Sequence, residues 1–170
     1  MRKLTVGQMA WLKVFHLLFV GAWIGGQMSF ILIQNVKYQL ALPAHQYGII
    51  AALKAIDDIV IIGGAVGCLF TGLLYSLITP WGFFKYRWIA VKWIITVSII
   101  LFGTFFLGPW INEMAFISVN EYASALVNPN YLYDEKMNMI WGSIQFGINI
   151  FLVIISVLKP WRKLKIQKTT

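Results

Sequence analysis

Two ionisable side chains stand inside stretches that otherwise read as hydrocarbon: His16 in "KVFHLLFVGAWIGGQMSF" and Lys92 in "RWIAVKWIITV". An ionisable group within a membrane-spanning helix costs on the order of 3 kcal/mol or more and by default marks a functional site. A neutral imidazole suits two chemistries there. It can serve as an axial ligand to haem iron in a helical bundle, with neighbouring glycines leaving room for the macrocycle. It can also relay protons along a polar passage. The plainer alternatives are a histidine that only hydrogen-bonds its neighbours and a lysine that snorkels along its stem to the headgroups.

Either chemistry needs a lining. His16, Trp23, Gln27 and Gln34 recur at offsets of seven, four and seven, which keeps them on one helical face. The last apolar run repeats the pattern with Asn138, Gln145, Asn149 and Ser156. The third offers Lys92, Thr96 and Gly103, and the second offers Gly64, Thr71 and Tyr75. Lipid supplies no hydrogen bonds, so these stripes are expected to face one another. His16, Lys92 and Tyr75 then fall at one depth. In the haem reading His16 is the metal ligand, and Lys92 and Arg87 pair with the propionates or Lys92 is a weaker second ligand. In the proton-relay reading Trp23, Gln27, Thr71, Thr96, Gln145 and Asn149 line the polar core. The other histidine, His45, lies about a membrane thickness away, so the chain does not supply a bis-histidine site.

The elements that must position these residues follow from composition. Of 170 residues, 59% are hydrophobic and only 12% charged, against about a quarter charged in soluble domains. With a mean hydropathy of +0.74, this excludes an ordinary soluble core and indicates an integral membrane protein. The single cysteine, Cys68, excludes an intrachain disulfide and a cysteine-based zinc site. The net charge of +8 comes from basic residues flanking apolar runs, which fits a membrane surface and argues against nucleic acid as a partner. The first apolar run outlasts a signal-peptide core and lacks a clear cleavage site, so it reads as retained.

Four runs are each roughly the 20 residues a spanning helix needs. Helices are expected at about 10–36, 50–79, 86–108 and 137–158, with Pro80, Gly108-Pro109 and Pro160 as punctuation. The expected fold is a single all-α domain, 1–170: an integral membrane four-helix bundle with long, partly helical outer connections. The connection 109–136 is expected to be an amphipathic segment on the outer face. The short second connection predicts that helices two and three are antiparallel neighbours. Gly21/Gly25 and Gly63/Gly67, at GxxxG spacing, predict close packing, and a homodimer or larger membrane complex is a further expectation. Arg2, Lys3, Lys85, Arg87, Lys159, Arg162, Lys163, Lys165 and Lys168 share one side with no acid, whereas every acid falls on the other. The positive-inside rule then predicts both termini in the cytoplasm, in a bacterial inner membrane.

"LKVFHLLFVGAWIGG", the Gly/Thr-rich "GGAVGCLFTGLL" and "RWIAVKWIITV" resemble the small bacterial membrane proteins grouped with HemJ-type protoporphyrinogen oxidase and copper-resistance CopD proteins. An uncharacterised predicted-integral-membrane family belongs to the same broad group. The likeness covers the four-helix core. It implies haem b binding and oxidation of a porphyrinogen or quinone-like substrate, with His16 and Lys92 at the haem-associated positions. No extended methionine/histidine copper-binding tract is present. The competing expectation is a non-enzymatic membrane protein: a small-solute or ion pathway, or a structural subunit of a complex.

Overall fold

The computed structural model describes residues 5–37, 43–79 and 82–160. The terminal cations Arg2, Lys3, Arg162, Lys163, Lys165 and Lys168, and the helix-stop Pro80, lie outside them. The described chain is all helical: α1 (Val6–Val36), α2 (Pro43–Ala55), a π turn (Ile56–Ile61), α3 (Ile62–Ile78), α4 (Arg87–Phe102), a second π turn (Gly103–Leu107), α5 (Gly108–Glu121), a 3-10 turn (Tyr122–Val127) and α6 (Pro129–Leu158). The π turns carry α2 into α3 and α4 into α5, so the helical runs number four. All four are long and apolar enough to cross a membrane. Only 11% to 28% of each run's apolar window is buried within the chain, leaving large surfaces such as Leu18, Phe70, Ile94, Phe105 and Ile144 exposed. Exposed apolar surface on this scale suits the interior of a bilayer.

Each helical run overruns its expected bounds at one end, and for the first and last the local reason is legible. Thr5 and Gln8 form a reciprocal capping box that starts α1 at Val6 rather than near residue 10. Asn128 caps α6 through Asn130 N and Tyr131 N, with Pro129 in the first turn. That start lies eight residues before the expected 137. The connection 109–136 is helical: it comprises α5, which continues the third run, a short turn, and the first turns of α6. Pro109 does not end the third run. It lacks an N–H and would crowd a carbonyl one turn back, and the backbone absorbs this in the π turn, where Gly108 N bonds Gly103 O.

In the bundle α1 packs against α3 and α6, and α6 against α4 and α5. The short connection does make α3 and α4 neighbours, but they meet over few residues, pinned by Trp93 Nε1 donating to Ser76 Oγ at 3.0 Å. Two apolar cores result. Trp23, Ala65, Ile99 and Leu152 fill the middle. Phe30, Ile50, Leu53, Ile111, Met114, Ile117, Ala125 and Tyr131 fill the end remote from the termini, called distal below; the opposite end is proximal. At about 1.5 Å per residue the 31 residues of α1 reach about 46 Å. That is longer than a ~30 Å hydrocarbon layer requires.

The tightest helix contact is α1 on α3, and it uses glycines other than most of those expected. A Cβ on Gly64 would stand 2.6 Å from Trp23 N, one on Gly67 2.2 Å from the Phe19 ring, and one on Gly26 2.8 Å from an Ile61 side-chain carbon. Gly21, Gly25 and Gly63 face open space. Of the two GxxxG pairs only Gly67 packs within the chain, because the crossing rotates α1 to present Gly26 rather than Gly25. Gly64→Ala is expected to destabilise the protein by about 1–3 kcal/mol, since its Cβ would meet backbone that cannot swing aside. Gly21→Ala should stay within about 0.5 kcal/mol. Thermal melts in detergent would separate the two.

Candidate functional site

The α1–α3 crossing brings His16 to Thr71. His16 Nδ1 lies 2.8 Å from Thr71 Oγ1, and Thr71 Oγ1 lies 2.7 Å from Gly67 O and 3.2 Å from Cys68 O. A hydroxyl has one proton. Thr71 gives it back to its own helix, so toward His16 it accepts, and Nδ1 is the donor. The hydrogen-bond network therefore assigns the proton to Nδ1 and the lone pair to Nε2. Thr71 is buried, whereas His16 is half-buried. The imidazole points toward α3 rather than out into lipid.

Around this pair the structure gathers part of the predicted set. Tyr75, one turn from Thr71, stands edge-on to the imidazole with ring centroids 6.0 Å apart. Its hydroxyl donates to Met9 O at 3.1 Å, tying α3 to the start of α1. Lys92, half-buried on α4, is close enough to act electrostatically on both His16 and Cys68. Gly72 faces the imidazole, with room for only an ordinary van der Waals contact. Arg87 is exposed at the first residue of α4, about 7.5 Å along the axis from Lys92 at 1.5 Å per residue. His16, Thr71 and Tyr75 thus meet across α1 and α3, with Lys92 of α4 within electrostatic range of His16 and Arg87 exposed at the start of the same helix.

The remaining predicted residues form a second level. Asn149 Nδ2 donates to Gln27 Oε1 at 2.8 Å, both side chains being buried. Trp23 and Gln145 are also buried, and among the described residues Trp23 Nε1 and Gln145 Oε1 find no hydrogen-bond partner. Gln145 reaches the π turn beside Gly103, and Asn138 Nδ2 donates to Leu107 O at 3.1 Å in the same turn. Thr96 is half-buried on α4. The polar stripes of α1 and α6 do meet in the interior.

A third level escaped the sequence reading. Lys37 caps the end of α1, fully buried, and is ion-paired with Glu135 of α6. Its ammonium donates to Tyr131 Oη at 3.1 Å and lies 5.1 Å from that ring's centroid. Gln34 Nε2 donates to Glu135 O at 3.2 Å. Burial presses the Lys37 ammonium below its ordinary pKa range, and the neighbouring Glu135 carboxylate pulls it back up. The signal was present: Gln34 and Lys37 extend the same α1 face. Reading Lys37 and Glu135 as flanking surface charges missed it, because the helices continue past the apolar runs.

Among the described residues no group of three or more His, Cys, Asp or Glu could hold a metal ion. No known protein family, curated protein or solved structure matches the chain. What the described residues do define is an all-helical bundle of four runs, each long and apolar enough to cross a membrane, with polar side chains meeting in its interior.

Removing one member of a buried ion pair strands the other charge, at a cost of about 3–5 kcal/mol, whereas replacing both with apolar groups is often neutral. Lys37→Met and Glu135→Leu should each lower the melting temperature steeply, and the double variant should recover most of the loss. A double-mutant cycle of thermal melts would check this.

Proposed function

We propose that this protein is a haem b-binding membrane redox protein whose axial ligand is His16. The observation that supports the reading is the 2.8 Å contact between His16 Nδ1 and Thr71 Oγ1: with the Thr71 proton assigned to Gly67 O, the network puts the imidazole proton on Nδ1 and leaves the Nε2 lone pair for a metal. Ligating histidines characteristically donate their other ring N–H in this way, which fixes the ring and raises its basicity. The donor set fits such a group. His16 offers one ligand, and Lys92 beside it offers a cation for a propionate or a weaker second ligand. Arg87 at the rim suits a propionate as well, and Tyr75 and Gly72 wall the ring. When bound, haem b supplies one-electron chemistry. The chain's part is to hold the imidazole, place positive charge beside it and keep water out. The substrate class that goes with the HemJ-like motifs is a porphyrinogen or a quinone-like ring.

The same reading places the proximal end in the cytoplasm and the protein in a bacterial inner membrane, on the strength of the basic residues at that end and the acids at the other. Haem-replete expression followed by an optical spectrum tests the ligand assignment. A Soret band is expected, lost in His16→Ala and weakened in Thr71→Val, where haem retention should fall about tenfold or more. A spectrum without the band, or a band unchanged by His16→Ala, would sink the assignment.

A second reading rests on a separate observation, the buried Gln27–Asn149 bond flanked by unpartnered Trp23 Nε1 and Gln145 Oε1. Polar groups at mid-bundle between His16 and the Lys37–Glu135 pair suit an ion or proton pathway. Proton flux into proteoliposomes by haem-free protein, abolished by Asn149→Leu, is what that reading expects.

A further inference from the structure

At the proximal end α6 stops on Lys159, whose backbone is left-handed, with φ 47° and ψ 55°. Glycine usually fills such a position at a helix end, because any side chain strains it. A lysine kept in a strained conformation raises the question of what its ammonium does there. Lys159 Nζ lies 6.0 Å from the centroid of the Trp88 ring, so the end of α6 leans over the first turn of α4. Lys85 and Arg87 flank Trp88 in the chain, and all three cations are exposed.

No side-chain carboxylate shares this end. The acids of the chain are Asp57, Asp58, Glu113, Glu121, Asp134 and Glu135. Glu135 is 24 residues from Lys159 along α6, about 36 Å at 1.5 Å per residue. Asp58 and Glu113 are each a full helical run away from Lys85 and Arg87. The cations therefore present uncompensated positive charge, which suits an anion. Directly next to them the surface turns apolar. Phe84 precedes Lys85 and is 68% exposed, and Val157 and Leu158 precede Lys159 at 72% and 70%. A soluble anion would use the ammonium groups and leave this apolar surface bare. A phospholipid of net negative charge uses both, and Trp88 supplies the aromatic ring usual at headgroup level.

We propose that Lys85 and Lys159, brought to one corner by the contact between Lys159 and Trp88, hold the phosphate of an anionic phospholipid whose acyl chains lie along Phe84, Val157 and Leu158. The site makes no use of His16. Arg87, a propionate partner in the haem reading, is left unaltered in the test, so either reading can fail without the other.

Native mass spectrometry of the full-length protein in neutral detergent, titrated with phosphatidylglycerol or phosphatidylcholine, gives the dissociation constant of the first bound lipid. Phosphatidylglycerol should bind about tenfold or more tightly than phosphatidylcholine, and excess inorganic phosphate should not displace it. Each surface cation is worth about a factor of five. Lys85→Gln and Lys159→Gly should each weaken phosphatidylglycerol by about that factor and leave phosphatidylcholine unchanged. Glycine accepts the left-handed backbone, so Lys159→Gly should melt no lower than the unaltered protein, which separates lost binding from lost folding. Lys54→Gln, which removes a cation at the distal end, should leave both titrations as they were. Should Lys159→Gly fail to fold, Lys85→Gln decides alone. Equal affinity for the two lipids, displacement by inorganic phosphate, unchanged binding in the proximal variants, or an equal loss in Lys54→Gln would each overturn the proposal.

Discussion

The close approach of α1 to α3 is the constraint on which the rest depends. Gly64 lets the α3 backbone reach Trp23, Gly67 accepts the Phe19 ring against its Cα, and Gly26 admits Ile61 from the other side. In lipid no hydrophobic force draws helices together, so close van der Waals contact between small residues has to do so. At that distance the Thr71 hydroxyl reaches the His16 imidazole. A wider crossing would leave both polar groups facing hydrocarbon at a cost of several kcal/mol. Packing and site are thus one arrangement, and the tautomer of His16 follows from it.

The polar groups of α1 are distributed by depth. His16 at the proximal end, Gln27 in the middle and the Gln34–Lys37 pair at the distal end each find a different partner: Thr71, Asn149, and Glu135 with Tyr131. Each level fastens α1 to another helix. The two π turns serve the same economy of backbone. The second accommodates Pro109 without ending the helical run and leaves Leu107 O to accept from Asn138. Irregular backbone within an apolar span is tolerable when its polar groups are satisfied from inside the bundle.

The distal end behaves differently from the spanning part. Its core gathers side chains from the end of α1, from α2, α5 and the first turns of α6, and the buried ion pair sits beside it. This is a second packed core at one end of the bundle. Where α5 meets α6, Glu121 accepts from Asn128 Nδ2 at 2.8 and 2.9 Å, closing the turn.

What the amino-acid sequence determined by itself was the number of helical runs, their apolar character, and the faces on which His16, Gln27, Gln145 and Asn149 sit. Those properties are local: run length, hydropathy and the 3.6-residue period do not depend on what packs where. Capping residues such as Thr5 and Asn128 were equally readable, though they place the helix ends further out than the apolar runs suggest. Only tertiary structure decided which glycines touch, because the choice between Gly25 and Gly26 rests on a rotation of about 100° that the crossing of two helices sets. It also decided that Lys37 is buried against Glu135, 98 residues away along the chain. A charge at the end of an apolar run looks solvated until the partner that covers it is known, and partnership across the bundle is not written in the spacing of either helix.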